Sequence, residues 1–317
     1  MPKALDQTKY LARAPFIDIG RARDTVALLA GMGRGGTTWG GNVINYAGRY
    51  RILFEPFHPE QGRVSRGFVR PQYIRPGEIR HPLAAAARRI LAGKPRSRWV
   101  DLDNAEAFYR QRIIKEIQAN LMLGWLHALR PEIPIVLMVR HPLQIAASWR
   151  ALGWADAVPG ETRGFERVAR NEELLADYPV IKNALREIDR SDPLDRVIFQ
   201  WGVYHFVPVQ QLGRGFHTLY YERLLTEPRR ETERLFRHLG QPFDWEAVRG
   251  VLGVESSTNF LKRGVAGRPK AAFDEWKTKF TPEEIRRAND LLGVFGLDQV
   301  YDEDGRPMRD DLVDAHR

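Results

Sequence analysis

The sequence predicts an α/β fold: a central parallel sheet flanked by helices. Three observations carry this. Short apolar runs of strand length occur at Thr25–Ala30, Ile135–Val139 and His217–Tyr221, and each leads into a helical segment. They lack strict apolar–polar alternation, as expected of strands covered on both faces. Strand and helix then alternate along the chain, the pattern of parallel sheets whose crossovers lie on the sheet faces. Such sheets bind ligands at the carboxyl ends of their strands.

The elements follow in order. Residues 1–24 read as a loosely held arm. Thr25–Ala30 is the first strand, ending in glycines, and Thr37–Ala47 the helix after it. Arg51–Phe54 is a second short strand. Residues 55–82, rich in Pro, Gly and Arg, form an irregular connection of the length usually reserved for function. His81–Leu91 reads as a helix stopped by Gly93 and Pro95, and Gln111–Ile117 as a strand around Ile113-Ile114. Asn120–Leu129 is a helix, Ile135–Val139 a strand, and Pro142 to Leu152 a helix, followed by a Gly/Pro loop over 153–164. Asp192–Gly213 is helical in pattern, with Pro208 expected to kink or split it. His217–Tyr221 is a strand, Pro228–Leu239 an amphipathic helix with its proline in the first turn, and 256–270 a basic loop. Thr281-Pro282-Glu283-Glu284 is a capping-box start to a last helix through Leu292.

The 317 residues include 49 Lys+Arg against 40 Asp+Glu, a formal charge of +9, which points to an anionic partner. Cysteine is absent, which excludes disulfides, thiolate zinc sites and cysteine nucleophiles, and fits a reducing compartment. The first 24 residues carry charges of both signs and no apolar segment of the signal-peptide kind, and no apolar run is long enough to cross a bilayer. A cytoplasmic protein is expected. The arginines are spread along the chain without a nucleic-acid-binding signature, so no nucleic-acid partner is expected.

The most informative segment is Gly31-Met32-Gly33-Arg34-Gly35-Gly36-Thr37-Thr38-Trp39, between a strand and a helix. Glycines let the backbone wrap closely around an anion, and the helix start aims N–H donors at it. The spacing is that of a nucleotide phosphate loop, but Thr37 stands where a lysine is usual, and the cation comes earlier, at Arg34. A kinase needs that lysine and a magnesium site; this loop suits a 5′-phosphate group instead. The second signal is the strand Ile135–Val139 ending in Arg140, with Ser148 eight residues on. An Mg²⁺-dependent enzyme would place Asp at that strand end. Two anion-directed strand ends point to a nucleotide with two separate phosphate groups and no metal.

These residues resemble the sulfotransferase family that uses 3′-phosphoadenosine 5′-phosphosulfate (PAPS). Gly33–Trp39 looks like its 5′-phosphosulfate loop, with Gly35 in place of a frequent Ser. Val139–Trp149 resembles its 3′-phosphate motif, with Arg140 and Ser148 at the expected spacing. The resemblance implies a P-loop-like sulfotransferase fold, with Arg34, Gly35, Gly36, Thr37 and Thr38 on the 5′ side and Arg140 and Ser148 on the 3′ phosphate. It further implies Trp39 and Tyr221 at the adenine, the latter from Tyr220–Pro228, and Lys262, Arg263 and Gly264 in a late basic loop. It touches both ends of residues 25–295, so one catalytic domain over 25–300 is expected, with 1–24 as an arm and 301–317 as a tail.

Sulfuryl transfer needs a base for the acceptor hydroxyl or amine and cations around the sulfate. Glu55, just past the second strand in Phe54-Glu55-Pro56-Phe57-His58, looks like the base of carbohydrate-type members. His58 is a rival base. Lys115 resembles a family lysine near the sulfate. A carbohydrate or glycolipid acceptor is favoured over simple phenols. Plainer readings stand beside these: Glu55 as partner of an arginine, Lys115 as a strand-end lysine, Trp39 as core. The DxD pattern at Asp101–Asp103 resembles a metal-bound sugar-nucleotide site but is frequent by chance. The alternative functions are a nucleotide-dependent small-molecule kinase and a non-catalytic anion-binding relative.

Overall fold

A computed structural model describes residues 16–21, 24–153, 159–253 and 275–316. Seven strands lie among them: β1 Ile17–Asp18, β2 Thr25–Gly31, β3 Tyr50–Phe54, β4 Phe108–Tyr109, β5 Gln111–Glu116, β6 Ile135–Val139 and β7 His217–Tyr220. β1 and β4 form a small parallel pair, and the other five make one sheet in the order β3-β5-β2-β6-β7, parallel throughout.

The helices are α1 Thr37–Ile44, α2 Ala84–Leu91, α3 Leu123–Leu129, α4 Pro142–Ala151, α5 Pro159–Ala169, α6 Glu172–Asp177, α7 Pro179–Glu187 and α8 Pro193–Leu212. They continue with α9 Tyr221–Thr226, α10 Pro228–Leu239, α11 Trp245–Leu252, α12 Pro282–Val294 and α13 Leu312–Ala315. The side-chain alternation of β2 sorts them into two layers. Leu28 and Ala30 face a core shared with α2, α3, α4, α8 and α12. Ala27 and Leu29 face the other, with Trp39 and Val43 of α1, Leu235 and Phe236 of α10 and Val248 of α11. This burial on both sides is why the strands lack strict alternation.

Several elements differ from expectation. The span 153–164 was expected to be all loop, yet α5 begins at Pro159, a proline suited to a helix start. Pro208 does not split α8, which runs on to Leu212. The carbonyl of Tyr204, which Pro208 has no N–H to satisfy, instead accepts a hydrogen bond from Asn120 Nδ2 at 2.9 Å. Tyr221 opens α9 rather than closing β7. Helix α12 starts with the expected reciprocal capping box between Thr281 and Glu284.

Both ends of the described chain are anchored. Asp18 accepts a forked pair of bonds at 2.7 Å from buried Arg112 and a further one from buried Arg51 at 2.9 Å. At the other end, Leu312 is fully buried and its N–H bonds Thr218 Oγ1 at 3.0 Å. Asp101 accepts from Arg51 Nε at 2.9 Å, which gives the DxD segment a structural role in holding the edge strand β3.

Candidate functional site

The carboxyl ends of all five strands lie along one edge, and their order sets out the site. Glu55 follows β3, Lys115 is the penultimate residue of β5, residues 32–38 follow β2, Arg140 follows β6 and Tyr221 follows β7. Neighbouring strands are ~4.8 Å apart, so Lys115 stands one strand from the glycine loop and one strand from Glu55.

The loop is shaped by sterics at its glycines. A Cβ on Gly35 would come within 2.8 Å of the Met32 carbonyl oxygen. One on Gly36 would come within 2.6 Å of the Tyr221 ring, and Gly36 also has φ +92°. Arg34 adopts φ +68° without being glycine. That turn sends its side chain sideways: Nε donates to Ser148 Oγ at 2.9 Å. Arg140 Nη1 donates to the Arg34 carbonyl at 3.1 Å, and Trp149 Nε1 to the Gly33 carbonyl at 3.1 Å. Arg140, just before α4, and Ser148 and Trp149, in its last turn, thereby grip the loop.

Burial, and then the charge of Arg140, lower the proton affinity of Arg34. Two guanidinium groups are thus held close enough to repel, an arrangement that an anion between them would relieve. The Arg140 guanidinium lies 4.1 Å from the centre of the Tyr221 ring, and its Nε donates to Gln144 Oε1 at 3.0 Å. Trp39 is buried in the second core and meets Tyr221 edge-on at 5.0 Å. Thr37 is buried and Thr38 half-buried at the helix start.

The backbone behind Arg140 is fixed by residues that sequence reasoning did not single out for this role. Trp201 Nε1 donates to the Arg140 carbonyl at 2.8 Å. The His141 N–H donates to Glu222 Oε1 at 3.0 Å, and Tyr301 OH to Glu222 Oε2 at 3.1 Å. Burial pushes Glu222 up to about 7, and burial with the nearby Arg140 brings His141 down to about 3.

At the other end of the row, Glu55 is the second non-glycine residue with positive φ, at +44°. Among the described residues these are the only two, and both are site candidates; backbone strain of this kind gathers at functional positions. Lys115 Nζ donates to Glu55 Oε1 at 3.0 Å and sits 3.9 Å from the centre of the Phe54 ring. Arg70 approaches Glu55 Oε2 at 3.5 Å. The plainer reading of Glu55 as partner of an arginine is therefore part of its geometry, with Arg70 as that arginine and Lys115 as a second partner. Beside it, Glu116 is fully buried and accepts from the Phe57 N–H at 3.1 Å. Burial and then the charge of Glu55 raise its proton affinity. Nothing in the sequence marked Glu116 or Arg70.

His58 turns its ring towards Trp99, and its Nδ1 accepts from the Glu60 N–H at 3.2 Å. Burial, then Arg70, lowers its proton affinity. Lys262, Arg263 and Gly264 lie outside the described residues. Among the described residues, no group of three or more His, Asp or Glu side chains is arranged to hold a metal ion, and no helix is long and apolar enough to cross a membrane.

The chain is 30% identical over 199 residues to nodulation protein NoeE of Sinorhizobium fredii (strain NBRC 101917 / NGR234), a match over 60% of this chain and 44% of that protein. The chain thus spans less than half the length of that relative. Among solved structures it is similar to the sulfotransferase domain of the Synechococcus PCC 7002 olefin synthase, with TM-score 0.45 and 16% identity over 88% of this chain and 98% of that one. It is also similar to a sulfotransferase domain from the curacin biosynthetic pathway, with TM-score 0.43 and 15% identity over 89% and 99%. A mouse sulfotransferase complexed with PAP gives TM-score 0.41 and 14% identity over 86% and 84%. The model of the sulfotransferase family matches residues 27–246, a span that holds Arg34, Glu55, Lys115, Arg140 and Tyr221. Since that match takes in more than half of the chain, the chain belongs to the sulfotransferase family.

Proposed function

We propose that the protein transfers a sulfuryl group from PAPS to a hydroxyl or amine of a carbohydrate or glycolipid acceptor, with Glu55 as general base and no metal. The observation that carries the donor assignment is the convergence of Arg34 and Arg140, joined through Ser148 and the loop backbone, at the ends of neighbouring strands. The donor supplies an activated sulfuryl group and a bisphosphate leaving group. Arg140 and Ser148 would hold the 3′ phosphate, and Arg34, Thr37 and Thr38 the 5′ end. Gly35 and Gly36 let the loop close against the Met32 carbonyl and the Tyr221 ring. Tyr221, with Trp39 behind it, supplies an aromatic wall for the base.

Glu55 takes the acceptor proton, and Lys115, bonded to Glu55 and one strand from the loop, steadies charge at the transferring group. His58 is the weaker candidate. Because Nδ1 accepts from the Glu60 N–H, the neutral ring carries its proton on Nε2 and has no second lone pair for an acceptor. The acceptor class rests on the resemblance of the Glu55 segment to carbohydrate-type members.

Calorimetry with adenosine 3′,5′-bisphosphate tests the donor reading. It should bind far better than AMP, and Arg140→Ala should lose about 1.5–3 kcal/mol per charge-assisted contact. Equal affinity for the bisphosphate and AMP refutes it. Against a kinase stand Thr37 at the loop-lysine position and Arg140 at the end of β6. Transfer should survive EDTA, and loss on chelation restored by Mg²⁺ would favour the kinase.

A further inference from the structure

Beside the edge strand β3 the molecule opens a cavity of about 580 Å³, within the range of small-ligand sites. Five cationic side chains line it, Arg63, Arg66, Arg89, Lys94 and Arg96, against one carboxylate, Glu60. Among the described residues Arg63, Arg66, Arg89 and Lys94 make no ion pair or side-chain hydrogen bond. Surface arginines elsewhere are often paired: Arg229 with Glu233, Arg249 with Glu246 and Arg286 with Glu283. Four cations with no counter-ion among the described residues are thus gathered around one concavity, where their mutual repulsion favours an anion.

The cavity lies beside the segment that carries the proposed base. Its wall residue Val100 accepts from the N–H of Phe54, immediately before Glu55, at 2.8 Å. Its wall residue Ser65 donates to the His58 carbonyl at 2.7 Å. Trp99, between those walls, packs edge-on against both Phe54 and His58.

We infer that this cavity is the acceptor subsite and that it takes an anion-bearing acceptor, a chain carrying sulfate or carboxylate groups whose reacting hydroxyl or amine reaches Glu55. The inference rests on the reading of Glu55 as the group that faces the acceptor. Guanidinium and ammonium groups bind such anions through charge-assisted hydrogen bonds, and the cavity's openness to solvent leaves room for a chain to continue outward.

The test is calorimetric titration of the full chain with three oligosaccharides: a sulfated heparin octasaccharide, an octagalacturonate and neutral maltooctaose. Three proteins are compared. One is wild type; one carries Arg63→Ala, Arg66→Ala, Arg89→Ala and Lys94→Ala; one carries Arg229→Ala, Arg237→Ala, Arg249→Ala and Arg286→Ala, which removes the same charge from exposed positions elsewhere. At least one charged chain should bind wild type with maltooctaose at least tenfold weaker. The cavity variant should lose at least tenfold of that affinity and the control less than twofold. Whether the sulfated or the carboxylated chain binds more tightly identifies the anion.

Equal binding of maltooctaose, no binding of either charged chain, or equal losses in both variants overturns the inference. Adenosine 3′,5′-bisphosphate titrated into the same proteins keeps the donor reading separate. If it binds none of them the donor assignment fails, while the oligosaccharide result still decides the cavity.

Discussion

Glu55→Gln separates the chemistry of the proposed base from its structural role. Glutamine keeps the shape and an oxygen for Lys115 Nζ, now 3.0 Å from Glu55 Oε1, but removes the charge and the proton acceptor. A positioned general base contributes about 10²–10⁴-fold, or about 2.7–5.4 kcal/mol of transition-state stabilisation. The structural cost is worked from the surroundings. Removing one partner of a buried ion pair costs about 3–5 kcal/mol when the other is left uncompensated. Here Lys115 keeps its contact with the Phe54 ring. The charge of Glu55 is one of the causes raising the proton affinity of Glu116, so the substitution makes that buried carboxylate easier to ionise near Arg70. The expected loss of stability is therefore lower, about 1–3 kcal/mol.

The assay is transfer of labelled sulfuryl from PAPS to an accepting oligosaccharide, with bisphosphate calorimetry and thermal unfolding on the same variant. Turnover should fall at least a hundredfold, with bisphosphate affinity nearly unchanged. His58→Ala should cost less. Retention of most turnover by Glu55→Gln would refute the base assignment, and loss of bisphosphate binding would make Glu55 a structural partner of Lys115.

Three further outcomes are expected. Gly36→Ala should weaken bisphosphate binding at least tenfold by calorimetry, because its Cβ would meet the Tyr221 ring at 2.6 Å, and φ +92° adds about 1 kcal/mol of backbone strain. Arg51→Met should lower unfolding stability in urea by about 1–3 kcal/mol, since it takes one of two buried guanidinium groups from Asp18, which keeps Arg112, and removes the bonds to Asp101 and the Gly93 carbonyl. His205 is buried, and burial lowers it to about 4, so the unfolded chain takes up its proton first as pH falls below the ordinary histidine value. Its contribution is fully present above about pH 6.5 and is lost as pH falls towards 4; at pH 5 the loss is about 2 kcal/mol. His205→Phe should flatten the urea midpoint between pH 7 and 5, and an unchanged slope would refute this accounting.

The strands were legible because both faces of the sheet are buried: Leu28 and Leu29, consecutive in sequence, pack into opposite cores, so the run reads as continuously apolar. The glycine loop was legible because its geometry excludes side chains at fixed spacings. Pro208 misled because its cost is met from outside the helix, by Asn120, more than eighty positions away in sequence. The same limit applies to the site. Arg34, Arg140 and Ser148 lie in motifs with a local pattern. Glu116, Arg70 and Glu222 act across strands and loops, and only the register of β5 against β3 and β2 shows that Lys115 lies opposite Phe54 and Leu29, between Glu55 and the strand that leads into the loop.

The sheet order explains why the loop cation can stand at Arg34 rather than at the position held by Thr37. From β2 the chain runs into α1 on one face and proceeds to β3 at one edge. From β6 it runs into α4 on the other face and proceeds to β7 at the opposite edge. Adjacent strands whose connections diverge in this way open a crevice at their carboxyl ends, the topological switch point where ligands bind in open α/β sheets. A cation at the start of α1 would stand along that helix. Arg34, turned by its positive φ, instead reaches across the crevice to Ser148 on α4, while Arg140 reaches back to the Arg34 carbonyl. The two strands are thereby tied by groups that themselves bind anions. A bisphosphate bridging them would engage both sides of the crevice at once, whereas a monophosphate engages one, which is the physical basis for expecting AMP to bind more weakly than the bisphosphate.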